Sequence, residues 1–343
     1  MKKFTKGCLI TALVLFIFGV AFWGICGVMG GFRQLDNLDI DSSRFFSLGW
    51  NGFRWGYNGK WFNVRWDDDD FFDDDGWSNS AGTPNLVEVG ETVQTGYRAL
   101  DITDIDIELG GSNLFIKESD DDYVHIANNA DANTVKYALK GGTLKLYYGK
   151  TVQHWIGIGK NNGNIVLYLP KDMTLCSIDI EMGAGNMESI ALAADEIDME
   201  IGAGNFSIEG LVSDELDISV GAGNAEIGAV SAGNVSMEVG AGEIVVDDMI
   251  IRDLDLECGM GNSTITGAIT GNADIECGMG NVNLMLSGGV ADYNYQLECA
   301  LGNITIGNDE YGGIVNERNI NNGSRQNIDI ECATGNIAIV FTN

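Results

Sequence analysis

Ile197-Asp198-Met199-Glu200-Ile201-Gly202-Ala203-Gly204-Asn205-Phe206-Ser207-Ile208 decides the fold. Its first five residues alternate apolar and acidic, the period-two pattern of a half-buried β-strand. The glycines allow a corner, and a second short strand follows the Asn. The unit then recurs. Gly-x-Gly begins at Gly183, Gly202, Gly221, Gly240, Gly259 and Gly278, one copy every 19 residues. Asn186, Asn205, Asn224, Asn262 and Asn281 follow five of the copies, and Glu243 takes that place once. Degenerate copies end in Gly302-Asn303 and Gly335-Asn336. A fixed period without internal Pro is the signature of stacked coils, one per repeat. Frequent Gly and the absence of an i, i+3, i+4, i+7 apolar stripe argue against helix. The expected fold is all-β, a single-stranded β-solenoid with coils of about 19 residues, preceded by one N-terminal transmembrane helix.

Stacking places equivalent residues about 4.8 Å apart in columns. The inward residue before each corner runs Met182, Ile201, Val220, Val239, Cys258, Cys277, Cys299, Cys332 in chain order. These cysteines stand where Val and Ile stand elsewhere and read as buried, reduced thiols. Parallel Cβ vectors suit a disulfide poorly, and a one-sided column cannot surround zinc tetrahedrally. The Asn column is expected to hydrogen-bond along the stack. Outward, Asp179/Glu181, Asp198/Glu200, Asp255/Glu257 and Asp274/Glu276 form two acidic columns. These eight carboxylates are the candidate metal ligands, for Ca²⁺ or Mg²⁺, since hard cations take carboxylate oxygens. Screening by salt and raised carboxylate pKa values are the simpler answer to their repulsion.

The formal net charge is −31, and residues 171–343 carry 29 acidic against four basic side chains. That balance excludes a nucleic-acid footprint. Lys2, Lys3 and Lys6 precede an apolar run over residues 8–30, long enough to span a bilayer. A cleaved signal peptide shares this order, but no Ala-x-Ala site follows, so an uncleaved anchor is favoured. The three lysines place residues 1–7 in the cytoplasm and the repeats outside the cell membrane.

Residues 31–95 form a juxtamembrane linker rich in aromatic, Asp and Gly residues, with Trp50, Trp55, Trp61, Trp66, Trp77 and the run Asp67–Asp75. No strand or helix period is sustained across it, so it reads as a disordered stalk or as a segment at the membrane interface. Residues 96–175 read as an irregular β-rich start and cap of the solenoid. Residues 176–343 are the regular repeats, with a polar insertion at about 307–327.

The Ile-x-Ile-Glu-x-Gly-x-Gly-Asn copies, the strand Leu167-Tyr168-Leu169-Pro170 entering them, and the N-terminal apolar run together resemble a known group. They are similar to the putative-adhesin, toast-rack-like β-repeat family of bacterial, especially Gram-positive, envelope proteins. The resemblance spans about residues 96–343. It implies a right-handed single-stranded β-solenoid at the cell surface, in a family largely of unknown function. The expected role is a non-catalytic, membrane-anchored adhesin or envelope scaffold that presents an acidic face to a protein or polymer. The alternative is a regulator or sensor in an envelope-stress system. A polysaccharide-active β-helix enzyme ranks below both. Residues 171–343 hold no His, and carboxylates repeated in every coil resemble a surface more than a singular catalytic pair.

Overall fold

The computed structural model describes residues 46–49, 52–57, 60–65, 92–128, 135–148, 163–312 and 316–342. The basic tail and the anchor expected at 8–30 lie outside the described residues. Among the described residues no helix is long and apolar enough to cross a membrane.

Two compact units are present, spanning 15–79 and chiefly 80–343. In the smaller unit, strands Phe46–Gly49, Gly52–Tyr57 and Lys60–Arg65 pair antiparallel in chain order. This differs from the sequence reading of a linker without sustained period. The signal there is local: β-favouring aromatics flank two-residue connections, the second with the sequence Asn58-Gly59.

The larger unit is a stack of three-sided coils. Between the coils at 205–220 and 224–239, three segments pair parallel and in register, Asn205–Ile208, Gly210–Ser213 and Glu215–Val220. The next coil repeats the pattern with Asn224↔Glu243 and Leu254↔Val235. The alternation then does what period two dictates: Ile197, Met199 and Ile201 are buried while Asp198 and Glu200 are exposed. The core is a bundle of such columns, for example Ile107, Ile180, Met199, Ile218, Met237, Leu256 and Ile275. At the corner, Gly204 adopts φ +145°, and a Cβ there would overlap the Gly185 carbonyl oxygen of the preceding coil. Only glycine permits that approach.

Chain order and spatial order part at both ends. The last strands in sequence, Gln326–Cys332 and Asn336–Thr342, pair with Ala273–Cys277 and Asn281–Ser287 on one side. On the other side they pair with Tyr293–Cys299 and Asn303–Ile306. The C-terminal coil is therefore second from the end, and the column runs Cys258, Cys277, Cys332, Cys299. This corrects the chain-order column expected from the sequence. Asp309–Gly312 and Asn316–Ile320 fold back antiparallel over the outermost coil, so the insertion at 307–327 acts as a lid on the stack.

The opposite end is built alike. Asp104–Gly111 and Asn113–Ser119 lie between the coil at 175–189 and an outer layer, Thr143–Tyr148 and Asn164–Pro170. Antiparallel strands Val135–Lys140 and Tyr123–Asn128 cover that layer, and Thr92–Arg98 pairs beyond. Charged or polar antiparallel edges stop further parallel addition, which open coils would invite.

Candidate functional site

The first face of the stack carries the acidic columns. Register places Asp106, Asp179, Asp198 and Asp217 in unbroken succession, then Ser236, Asp255, Asp274, Asp329 and Gln296. Beside them run Glu108, Glu181, Glu200, Ser219, Glu238, Glu257, Glu276, Glu331 and Glu298. All eight carboxylates singled out from the sequence thus share one face. Among the described residues no three His, Cys, Asp or Glu side chains converge as a metal-binding group.

The electrostatics are strongest where the Asp run is unbroken. Partial desolvation, and then the charges of Asp106 and Asp198, push the Asp179 pKa up to about 6. Desolvation and Asp217 raise Asp198 in the same way. Lys145 closes the column at the N-terminal side, its Nζ 2.6 Å from Asp106 Oδ2. The sequence reading missed Lys145, because its pairing with Asp106 joins residues from an outer layer of the cap.

A ladder of amides borders this face across the Gly-x-Gly corner. Asn186 Nδ2 donates to Asn113 Oδ1 at 3.1 Å, Asn205 to Asn186 at 3.2 Å and Asn224 to Asn205 at 3.1 Å. After the break at Glu243 it resumes, with Asn281 donating to Asn262 and Asn336 to Asn281, each at 2.9 Å. Asn113 in turn donates to Asn164 at 2.9 Å. The expected Asn column is therefore a continuous hydrogen-bonded rail in each of two sections.

A second ladder precedes the acidic strands. Asn272 N–H donates to Asp253 Oδ1 at 2.8 Å, Asn327 Nδ2 to Asn272 Oδ1 at 3.2 Å, and Asn294 Nδ2 to Asn327 Oδ1 at 3.1 Å. These residues sit one position before each alternating strand, a periodic place in the sequence.

On the third face a shallow groove of about 470 Å³ is lined by small residues, among them Ala193, Ala194, Val212, Ser231 and Ala232. In the cap, buried His125 bonds Asp121 Oδ1 through Nε2 at 2.9 Å, and Ser119 Oγ donates to the same oxygen at 3.1 Å. Both contacts fasten the turn between two cap strands.

In-register parallel coils with ladders at their corners define a stacked β-repeat protein. The chain belongs to the Toastrack DUF4097 family, whose profile matches residues 102–340. Among solved structures it is similar to a "putative adhesin" from Bacteroides fragilis, at 15% identity and TM-score 0.45, over 73% of this chain and 97% of that one. A "putative adhesin" from Parabacteroides distasonis gives 13% identity and TM-score 0.39, with 73% and 97% covered. A "putative lipid binding protein" from the same organism gives 18% and 0.38 over the same shares. No curated protein matches the chain.

Proposed function

We propose that this protein is a non-catalytic, membrane-anchored scaffold of the cell surface. Its acidic face engages cationic groups of an envelope protein or polymer, directly or through divalent cations between the coils. The observation that carries the reading is the unbroken column Asp106–Asp179–Asp198–Asp217, which holds carboxylates about 4.8 Å apart on one face. The repeated, in-register carboxylates offer a polyvalent surface with no singular acid–base pair, which supports a binding role over an enzymatic one.

The anchor over residues 8–30 and the N-inside orientation complete the proposal. Protease accessibility on intact cells tests them: repeats digested only when protease is added outside support the reading, and protected repeats refute it. Millimolar Ca²⁺ against ionic-strength-matched Na⁺ tests the cation bridge. A larger rise in Tm with Ca²⁺, shrunk by Asp255→Asn with Glu257→Gln, is expected. Equal stabilisation by both salts means that the columns are merely screened.

A further inference from the structure

The inner corner column changes chemistry along the stack. Upstream it is Leu109, Met182, Ile201, Val220 and Val239; in the last four coils it is Cys258, Cys277, Cys332 and Cys299, in that spatial order. All four are free thiols and buried. Packing alone does not ask for sulfur, because Val fills the equivalent place one coil away. Three of the thiols share one orientation. Cys258, Cys277 and Cys332 each donate from Sγ to the glycine carbonyl three residues on, at 3.2, 3.3 and 3.2 Å. Glycine backbone lies against them at the corner: a Cβ on Gly280 would lie 2.8 Å from Cys258 Sγ, and one on Gly335 2.5 Å from Cys277 Sγ.

Neighbouring thiols also interact. The neighbouring Cys277 thiol lowers the pKa of both Cys258 and Cys332, while those two neighbours raise Cys277 itself. Beside Cys258 stands Ser263, wholly buried, its hydroxyl without a hydrogen-bond partner of normal geometry. That hydroxyl puts a polar atom beside the thiol column in an otherwise apolar core.

We propose that this column binds soft d¹⁰ metal ions, of the Cu(I), Ag(I) and Hg(II) class, in linear two-coordinate sites between cysteines of adjacent coils. Coils stack about 4.8 Å apart. Two collinear metal–sulfur bonds of about 2.3 Å span nearly that distance. A straight column cannot offer three or four ligands around one point, and none of the described residues form such a group. It can offer two in line, and thiolate selects soft ions. Each ion forms two metal–sulfur bonds and releases two thiol protons to solvent, with no electron transfer. With Hg(II) the product is neutral and fits an apolar core.

The test uses the full-length chain carrying Cys8→Ser, Cys26→Ser and Cys176→Ser, so that only the column's thiols remain. Ag(I), Hg(II) and Zn(II) are added to folded protein and during refolding, and bound metal, Tm and X-ray absorption are measured. The expected result is about two Hg(II) per chain, a rise in Tm, and two sulfur neighbours near 2.3 Å. Cys277→Val with Cys332→Val copies the upstream coils and should abolish uptake. Cys258→Val with Cys299→Val keeps the central pair and should retain about one Hg(II). No uptake by either route, equal uptake by the two double variants, or equal stabilisation by Zn(II) overturns the proposal.

Discussion

The Lys145 ammonium lies 2.6 Å from the Asp106 carboxylate and neutralises the N-terminal end of a column that continues through Asp179, Asp198 and Asp217. One step further in, no cation is paired with Asp179 in register, and its pKa rises to about 6 through desolvation and its acidic neighbours. The folded state therefore holds this proton more tightly than the unfolded chain. The stabilisation is fully present below the ordinary Asp value and is lost as pH rises through about 6. Thermal stability should increase as pH falls from 7.5 toward about 4.5. Asp179→Asn should raise Tm at pH 7.5 and flatten that slope, by ~1 kcal/mol once solvent screening of an exposed side chain is allowed for. An unchanged slope in the variant would refute the assignment.

Ile218 and its chain neighbour Asp217 test the register. Ile218 is 3% exposed, in the column between Met199 and Met237, whereas Asp217 is exposed. Ile218→Asp buries an unpaired charge and should cost several kcal/mol or abolish folding. Asp217→Asn should be neutral or stabilising. Urea denaturation of both variants decides, and equal midpoints would mean that the faces are exchanged.

Asn205 both donates to Asn186 and accepts from Asn224, so Asn205→Ala removes two ladder bonds and should cost about 1–2 kcal/mol. The reverse change is available at the break. Glu243 lies in register between Asn224 and Asn262, and Glu243→Asn should join the two rails and raise stability by about 1 kcal/mol. Destabilisation by Glu243→Asn in a thermal melt would show that the carboxylate has a role of its own.

Deleting residues 326–343 should do more than shorten the stack. Among the described residues the coil at 293–306 has its parallel partner only in that segment, so it should lose hydrogen-exchange protection together with the antiparallel strands 309–312 and 316–320. Protection retained over 293–320 in the truncated protein would contradict the interleaved order.

Much of this protein was determined by sequence alone. Alternation in Ile197–Ile201, the Gly-x-Gly corner and the Asn that follows fix strand, turn and ladder, because a 19-residue offset repeats the same local physics in every coil. Inward cysteines and outward carboxylates followed from the same period-two rule. The tertiary structure alone decided which coil neighbours which at the ends. The strand at 273–277 could meet either 293–299 or 326–332, whose apolar faces are alike, so local pattern cannot rank the two; the structure sets 326–332 between 273–277 and 293–299. Long connections make the choice, and they leave no periodic trace. Lys145 beside Asp106 and Cys332 between Cys277 and Cys299 are products of that choice, and both lie where charge and thiol chemistry gather.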